Sequence, residues 1–247
     1  EKLVAISSAV PTLELSGESE SFEWVENKLN WPIIKAKSSY GEVLVFIDSG
    51  SGLTAVRENS NFARALETSS RVDINGFGSL GLIQTLEIGN VKIKNLGVHV
   101  FEHAADSTKE LRFPCCDILL GQNALQSVDV LFNKVKKRIQ FFVPKEKKFT
   151  SYFRVWHQPE LGNNWFAKVK INDQSCEAAR IDTGAAYQLK IYEPWYKSNK
   201  KMSYDLEIGD QKFRVVPRFQ KSAEVAVNEK VCANIGIEAL FLKPFYL

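Results

Sequence analysis

The sequence contains little of what marks several specialised classes of protein. Its 247 residues include one methionine and four cysteines, and the longest uncharged apolar run covers only residues 43–47. A helix that crosses a membrane needs roughly 18 consecutive apolar residues, so we expect no membrane span. Four cysteines in a chain of this length exclude a disulfide-dense small scaffold. The composition of the whole chain, with 45% apolar and 25% charged residues, is typical of a globular protein with one or two cores.

Neither sign of charge predominates in the chain. The 32 basic and 29 acidic residues give a net charge of +3. Basic clusters occur at residues 134–138, 145–148 and 197–201, but no repeated aromatic pattern is interleaved with them. Nucleic-acid binding is therefore not expected, and we interpret the clusters as solvated faces of hairpins and linkers.

The cysteines leave one question open. Cys115 and Cys116 are adjacent, and adjacent cysteines rarely bond each other because the geometry is strained. Cys176 and Cys232 lie 56 positions apart and could form a disulfide bridge or remain two buried free thiols. The sequence favours neither alternative.

The start of the chain also carries an expectation. The chain begins at Glu1 and its single methionine is Met202, so we interpret it as a processed or trimmed product. Since Asn-x-Ser/Thr acceptors are also absent, we expect an exported protein, periplasmic or extracellular, that has lost an N-terminal signal or anchor. Residues 1–26 precede the first repeat, and they could be an interlobe strand, a remnant propeptide or a partner-binding tail.

Four short patterns occur twice in the same order. They are Asn-Trp at 30 and 164, Asp-(Ser/Thr)-Gly at 48 and 182, Leu-Glu-Ile-Gly at 86 and 206, and Gly-x-x-Ala-Leu at 121 and 236. The shift is 134 residues for the first two patterns, 120 for the third and 115 for the last. Repetition of this kind predicts a duplicated unit. We predict an N-terminal lobe over residues 1–144 and a C-terminal lobe over residues 151–247.

The spacing of these patterns predicts an additional hairpin in the first lobe. From the aspartate to Leu-Glu-Ile-Gly there are 38 residues (86 − 48) in the first half and 24 (206 − 182) in the second. The 14 extra residues fall at 71–84, where Gly76, Gly78 and Gly81 stand between apolar flanks. This pattern is typical of a mobile hairpin, so we predict a flap in one lobe only.

Most of the remaining pattern is that of β-strands. Short apolar runs or period-two alternation occur at residues 43–47, 91–94, 98–101, 139–143, 167–171 and 178–181. Helical periodicity is confined to residues 61–67 and to the stretches after Gly121 and Gly236. The predicted fold class is all-β, of sandwich or barrel type, with a few short helices.

The two Asp-(Ser/Thr)-Gly turns indicate a paired site. A single copy is an ordinary turn, but here each copy follows an isoleucine at a strand end of a duplicated unit. A pseudo-twofold axis would bring Asp48 and Asp182 face to face, where two carboxylates share one proton. A water between them could lose a proton to the charged carboxylate while the neutral one protonates a substrate carbonyl oxygen. This chemistry predicts direct hydrolysis of an amide.

The residues beside the aspartates have supporting roles in this hypothesis. Gly50 and Gly184 allow close approach of the backbone, and their N–H groups can bond a carboxylate oxygen. Ser49 and Thr183 would place hydroxyl groups where the two loops meet. These hydroxyls either cross-bond the lobes and hold the carboxylates coplanar, or satisfy their own turns, and both alternatives stay open.

The sequence resembles the aspartic proteases of the pepsin and retropepsin clan, over most of its length. The resemblance is carried by residues 46–52, the glycine-rich hairpin, Cys-Asp-Ile-Leu-Leu-Gly-Gln-Asn-Ala-Leu at 116–125, Ile-Asp-Thr-Gly-Ala at 181–185 and Asn-Ile-Gly at 234–236. It implies a two-lobed acid-protease-like β-barrel fold with pseudo-twofold symmetry. It also implies an aspartic endopeptidase with Asp48 and Asp182 as the catalytic pair.

The resemblance also implies how substrate binds. An extended polypeptide would lie in the cleft between the lobes as an added strand, covered by a flap formed by Gly76, Phe77, Gly78 and Ser79. We expect a monomer with no metal, no organic cofactor and no partner besides the polypeptide substrate. The alternative is a catalytically silent pseudoprotease that uses the same fold to bind peptides or to act as a scaffold.

Two features depart from the pepsin branch of the clan. That branch usually carries a hydroxyl residue two places after each Asp-Thr-Gly, where this chain has Gly52 and Ala186. Fewer hydrogen bonds to the ionised carboxylate make a pair less acidic, so we expect activity at weakly acidic or neutral pH. The flap also lacks the tyrosine of that branch, so Phe77 or the backbone of residues 76–81 would cover the substrate, as retropepsin flaps do.

Two other motifs do not lead to a site. His99 and His103 have the spacing of zinc ligands on a helix, but their neighbourhood is predicted to be a strand and has no third ligand, so we predict no metal site. Residues 76–81 match Gly-x-Gly-x-x-Gly without a following helix, and the flap explains them better than a phosphate-binding loop does.

Overall fold

Strands dominate the structure, as the sequence predicts. The computed structural model describes residues 11–15, 21–38, 41–58, 63, 66, 71–73, 78–101, 116–126, 128–142, 155–158, 164–192, 195, 201–220, 231–242 and 245–246. Short helices follow the two glycines, as predicted: α1 (Gln122–Leu125) and α2 (Ile237–Leu240). Ala63 and Leu66 are also helical. In this part of the chain, no helix has both the length and the apolar character to cross a membrane.

The strands belong to three sheets, two of eight strands and one of four. In chain order they are β1 (Thr12–Leu15), β2 (Ser21–Glu23), β3 (Ile33–Ser38), β4 (Gly41–Ile47), β5 (Thr54–Arg57), β6 (Arg71–Asp73), β7 (Ser79–Ile88), β8 (Val91–Phe101), β9 (Ile118–Leu120), β10 (Asp129–Asn133), β11 (Arg138–Phe142), β12 (Val155–Gln158), β13 (Asn164–Ile171), β14 (Gln174–Asp182), β15 (Leu189–Tyr192), β16 (Tyr204–Ile208), β17 (Gln211–Val215), β18 (Pro217–Gln220), β19 (Val231–Gly236) and β20 (Phe245–Tyr246).

The two eight-stranded sheets form two lobes with related topology. The first has the order β3-β4-β9-β5-β8-β7-β6 with β1 paired to β8, and the second has the order β17-β16-β13-β14-β19-β15-β18 with β12 paired to β13. In each lobe the strand that leads into an Asp-(Ser/Thr)-Gly turn pairs in parallel with a later strand, β4 with β9 and β14 with β19. Both lobes therefore present an aspartate in the same way.

The four-stranded sheet combines the beginning, middle and end of the described chain. Its order is β2-β11-β10-β20, in which β2 pairs with residues 138–140 and β20 with residues 131–132. Residues 21–23 therefore form an interlobe strand, one of the alternatives that the sequence left open. Strand β1 lies instead on the first lobe, and residues 1–10 and 16–20 are outside the described part of the chain.

The repeated Leu-Glu-Ile-Gly pattern has the same structure in both lobes. Its apolar side chains are buried in each copy, at residues 86, 88, 206 and 208. The glycine that follows adopts a left-handed φ of 59° at both Gly89 and Gly209, where glycine is favoured because it has no Cβ. Each copy thus closes one strand with a tight turn and buries alternate residues in the core of its lobe.

Aromatic side chains join the second lobe to the four-stranded sheet. Phe241, directly after α2, packs edge-on against Trp24 with ring centroids 4.7 Å apart and lies 5.4 Å from the ring of Phe132. All three rings are buried. Because residues 143–154 lie outside the described part of the chain, the lobe boundaries at residues 144 and 151 stay a prediction.

A disulfide bridge joins Cys176 in β14 to Cys232 in β19, with Cα atoms 6.0 Å apart. Both side chains are fully buried. The structure thus has the bridge rather than the two free thiols that the sequence also allowed. Cys116 is disulfide-bonded as well, and Cys115 lies outside the described residues. The Cys176–Cys232 bridge cross-links the strand pair that ends at Asp182.

The bridge makes a testable contribution to stability. Replacing both cysteines (Cys176→Ala with Cys232→Ala) removes a cross-link over 56 residues, so we expect the free energy of unfolding to fall by about 2–4 kcal/mol. Denaturant unfolding of the double variant measures the loss, and wild-type protein unfolded in a thiol reductant serves as the control. Equal unfolding midpoints under all these conditions would contradict the bridge.

Candidate active site

The fold delivers the two aspartates to equivalent positions. Asp48 directly follows β4, and its N–H donates to the carbonyl oxygen of Leu120 in β9 at 3.0 Å. Asp182 is the last residue of β14 and lies opposite Gly236 in the parallel pairing with β19. Each carboxyl group therefore stands at the carboxyl end of a parallel strand pair.

A glycine lies close to the backbone that follows each aspartate. A Cβ added at Gly121 would lie 2.3 Å from the carbonyl oxygen of Leu53, and one added at Gly236 would lie 2.2 Å from that of Tyr187. Leu53 and Tyr187 are each five residues after an aspartate. Because only glycine permits this approach, the recurrence of Gly121 and Gly236 in the sequence has a steric cause.

Ser49 and Thr183 exchange hydrogen bonds across the two halves of the chain. Ser49 Oγ donates to the carbonyl oxygen of Ile181 at 3.0 Å and accepts from the N–H of Thr183 at 3.0 Å. Thr183 Oγ1 donates to the carbonyl oxygen of Ile47 at 2.8 Å and accepts from the N–H of Ser49 at 2.9 Å. Both hydroxyl groups therefore bond the opposite loop rather than their own turn, and both side chains are fully buried.

The two glycines of the loops lie against the opposite carboxyl groups. A Cβ added at Gly50 would lie 2.3 Å from Oδ1 of Asp182, and one added at Gly184 would lie 2.4 Å from Oδ1 of Asp48. The contacts are reciprocal, as a pseudo-twofold arrangement requires. The structure thus brings Asp48, Asp182 and both glycines into one cluster between the lobes.

The fold as a whole is similar to that of a solved aspartic proteinase. The aspartic proteinase from Irpex lacteus matches with a TM-score of 0.57 and 12% sequence identity, over 93% of this chain and 94% of that one. The chain has a pepsin-like aspartic-proteinase fold. This agrees with the two-lobed all-β fold that the sequence predicts. At such low identity the likeness concerns the fold alone.

A second solved structure matches part of the chain. The retropepsin-like aspartic protease from Rickettsia conorii matches with a TM-score of 0.35 and 16% identity, over 53% of this chain and 93% of that one. No protein-family model and no curated protein matches the sequence.

The environment of Asp48 strongly disfavours its charged form. Loss of hydration on burial raises the pKa of Asp48 to about 7, and the adjacent charge of Asp182 adds to the rise. The N–H of Gly50, which donates to Oδ1 of Asp48 at 2.8 Å, offsets part of it. Arg180 and the N–H of Gly184 also lower the pKa of Asp48. Two carboxyl groups coupled in this way titrate as a pair.

Asp182 accepts two side-chain hydrogen bonds that the sequence analysis missed. Arg180 Nη2 donates to Oδ2 of Asp182 at 2.9 Å, and Asn234 Nδ2 donates to the same oxygen at 2.8 Å. The repeat itself contained the signal, because a shift of 134 aligns Arg180 with Phe46 and a shift of 115 aligns Asn234 with the apolar Leu119. A cation in place of phenylalanine, two residues before a catalytic candidate, marks a chemical difference between the lobes.

The hydroxyl positions of the pepsin branch contribute no bond to the aspartates here. Gly52 and Ala186 have no hydroxyl group, and Ser51 Oγ donates to the carbonyl oxygen of Leu53 at 2.8 Å. The expectation of few side-chain hydrogen bonds therefore holds for Asp48. It is wrong for Asp182, which accepts hydrogen bonds from Arg180 and Asn234.

The predicted flap coincides with an antiparallel strand pair. Strands β6 and β7 pair with Asp73 opposite Ser79, and β6 is the last strand at one end of its sheet in the described part of the chain. Gly76 and Phe77 lie outside the described residues, Gly78 adopts a φ of 82°, and Ser79 is fully buried. A covering role for residues 76–79 stays a prediction.

Nothing in the described part of the chain forms a metal centre. Among those residues there is no group of three or more histidine, cysteine, aspartate or glutamate side chains that could hold an ion. His99 lies within β8, and His103 is outside the described residues.

The close contact of Gly50 and Gly184 with the carboxyl groups can be tested by adding one methyl group. Because the new Cβ would overlap a carboxyl oxygen, we expect Gly50→Ala and Gly184→Ala each to lower the free energy of unfolding by about 1–3 kcal/mol. The matched control is Gly81→Ala, whose Cβ would meet Val98 Cγ2 at an ordinary 3.5 Å. If all three variants unfold at the same denaturant concentration, the loops are not in contact.

The raised pKa of Asp48 predicts how stability depends on pH. The native protein retains a proton that the unfolded chain releases above the ordinary value of 3.8, so the free energy of unfolding falls as pH rises toward about 7. Asp48→Asn removes this titration, and we expect the variant to exceed wild type in stability at pH 8 by on the order of 2 kcal/mol but not at pH 4. Parallel curves of unfolding midpoint against pH for the two proteins would rule out the shift.

Proposed function

We propose that the chain is an aspartic endopeptidase that hydrolyses peptide bonds through a water molecule activated between Asp48 and Asp182. The observation that carries this proposal is the reciprocal contact of the two loops, in which each glycine lies against the carboxyl group of the other lobe. The raised pKa of Asp48 supports it, because a carboxyl group that keeps its proton near neutral pH can act as a general acid.

The proposed reaction needs no covalent enzyme intermediate. The charged carboxylate takes a proton from water while the neutral carboxyl group protonates the carbonyl oxygen of the peptide bond. Ser49 and Thr183 support the reaction by holding the two loops together through buried hydrogen bonds. Gly50 and Gly184 contribute by leaving room for the opposite carboxyl group and by donating their N–H groups.

The substrate class that fits best is a polypeptide in an extended conformation. Among the described residues, strand β6 ends its sheet, so an extended segment can add to the β6–β7 pair through backbone hydrogen bonds. Both aspartates come from one chain, and hence the proposed site is complete in a monomer. Residues 76–79 would cover the bound segment as a flap.

Cleavage of a peptide mixture tests the proposal directly. We expect internal cuts that pepstatin inhibits and that mass spectrometry maps, with rates about 10²–10⁴-fold lower in Asp48→Asn and in Asp182→Asn. The matched control is Asp173→Asn, since Asp173 is exposed and has a φ of 66°, a conformation that asparagine readily adopts. This control should cut at the wild-type rate.

The possible outcomes separate the two functions that the fold could serve. Peptide binding without any cleavage by folded wild-type protein would identify the pseudoprotease alternative and refute the proposal. Cleavage that persists in both aspartate variants would show that other groups carry out the chemistry.

The pH dependence of the rate follows from the requirement for one shared proton. The reaction needs one charged and one neutral carboxyl group, so kcat/KM should fall above about pH 7, where Asp48 loses its proton. We expect the maximum at weakly acidic to neutral pH, measured with a single peptide substrate across a buffer series. A maximum below about pH 3 would contradict this origin of the proton.

A further inference from the structure

The two lobes differ in the side chains that stand beside each aspartate. The residue two positions before the aspartate is Phe46 in the first lobe and Arg180 in the second. The residue opposite it in the parallel partner strand is Leu119 in the first lobe and Asn234 in the second. An apolar pair in one lobe is thus replaced by a cation and an amide in the other.

The polar pair acts on a single oxygen atom. Arg180 and Asn234 both donate to Oδ2 of Asp182, at 2.9 and 2.8 Å, and the N–H of Gly184 donates to Oδ1 at 3.0 Å. Asn234 is fully buried, and Asp182 is 7% exposed. Hydrogen bonds from a cation and an amide favour the charged form of a carboxyl group, and they act most strongly where water is excluded.

Among the described residues, Asp48 has no comparable side-chain donors. Its carboxyl group accepts a hydrogen bond from the backbone N–H of Gly50 at 2.8 Å, and the backbone N–H of Gly184 also lowers its pKa. Phe46 is buried against Trp31, with ring centroids 5.0 Å apart, and offers no donor. These surroundings favour the neutral form of the Asp48 carboxyl group over the charged form.

We propose that Arg180 and Asn234 are positioning residues that keep Asp182 as the charged member of the pair, so that the shared proton resides on Asp48. This inference rests on the proposed function, because it assigns the acid and the base within the same pair. Asp182 is then the base that receives a proton from water, and Asp48 is the acid that protonates the peptide carbonyl oxygen.

The assignment gives a balanced sequence of proton transfers. As the water oxygen bonds to the peptide carbon, Asp182 takes a water proton and Asp48 gives its own proton to the carbonyl oxygen, which forms a tetrahedral diol. On collapse, Asp48 takes a proton from one diol hydroxyl while Asp182 gives its proton to the leaving nitrogen, and the C–N bond breaks. Both carboxyl groups return to their starting states.

Two phenols stand near Asp182, and two further cations face one of them. Tyr187 and Tyr192 stay neutral because burial raises the pKa of each phenol. From β15, Lys190 Nζ lies 5.0 Å from the centroid of the Tyr187 ring, and from β18, Arg218 Cζ lies 5.4 Å from it.

Carboxyl carbon NMR tests the position of the proton without relying on activity. Wild-type protein labelled at its aspartate carboxyl carbons is titrated from acidic to neutral pH, and Asp48→Asn and Asp182→Asn assign the two signals. In weakly acidic solution we expect the Asp182 carbon in its ionised position and the Asp48 carbon in its protonated position, with the Asp48 signal changing near pH 7. The opposite pattern overturns the inference.

Rate profiles test whether Arg180 and Asn234 cause the assignment. In Arg180→Met and Asn234→Leu, we expect the acidic limb of kcat/KM to move to higher pH by about one unit, which corresponds to a roughly tenfold loss at low pH. Arg180→Lys keeps the charge and should restore most of the wild-type pH profile.

The control variant is Arg218→Met. It removes a neighbouring cation that faces the Tyr187 ring, and the acidic limb of its profile should stay in place. An unchanged acidic limb in both Arg180→Met and Asn234→Leu overturns the inference.

The two experiments distinguish a failure of this inference from a failure of the proposed function. If wild-type protein cleaves no peptide, the proposed function fails, while the NMR titration still decides which carboxyl group holds the proton. If wild-type protein cleaves peptides but the proton resides on Asp182, the endopeptidase stands and the roles assigned to Arg180 and Asn234 are wrong.

Discussion

The hydrogen bonds exchanged by Ser49 and Thr183 are the constraint on which the rest of the site depends. Each hydroxyl group donates to a backbone carbonyl of the opposite lobe and accepts from a backbone N–H there. The position of one aspartate loop is therefore set by the backbone of the other. Gly121 and Gly236 lie against the backbone of the two loops. The carboxyl groups are therefore held in place by strands and turns rather than by long side chains.

A duplicated fold provides a symmetric frame, whereas acid–base chemistry needs two carboxyl groups in different states. We propose that the lobes resolve this conflict at the residues two positions before each aspartate and in the strands paired with them. Among the described residues, Asp48 has no side-chain donor, whereas Asp182 accepts hydrogen bonds from the cation of Arg180 and the amide of Asn234. The frame is thus shared by both lobes, and the proposed chemistry differs through a few side chains.

Features with a local or repeated signature could be predicted from the sequence, and features that depend on long-range pairing could not. Strand alternation and recurring glycines predicted the all-β lobes and the helices after Gly121 and Gly236. No local pattern shows that Asn234 faces Asp182, because their contact exists only once β14 and β19 pair in parallel. For the same reason the sequence left an interlobe strand as only one of three alternatives for residues 1–26, because the partners of residues 21–23 are more than 100 residues away.

A neutron crystal structure of the wild-type protein at weakly acidic pH would test the central claim most directly, because it locates both protons and water. We expect one water molecule within hydrogen-bonding distance of both Asp48 and Asp182, and a single proton between the two carboxyl groups, bonded to Asp48. Carboxyl groups that are both ionised, or that are too far apart to contact the same water molecule, would contradict it.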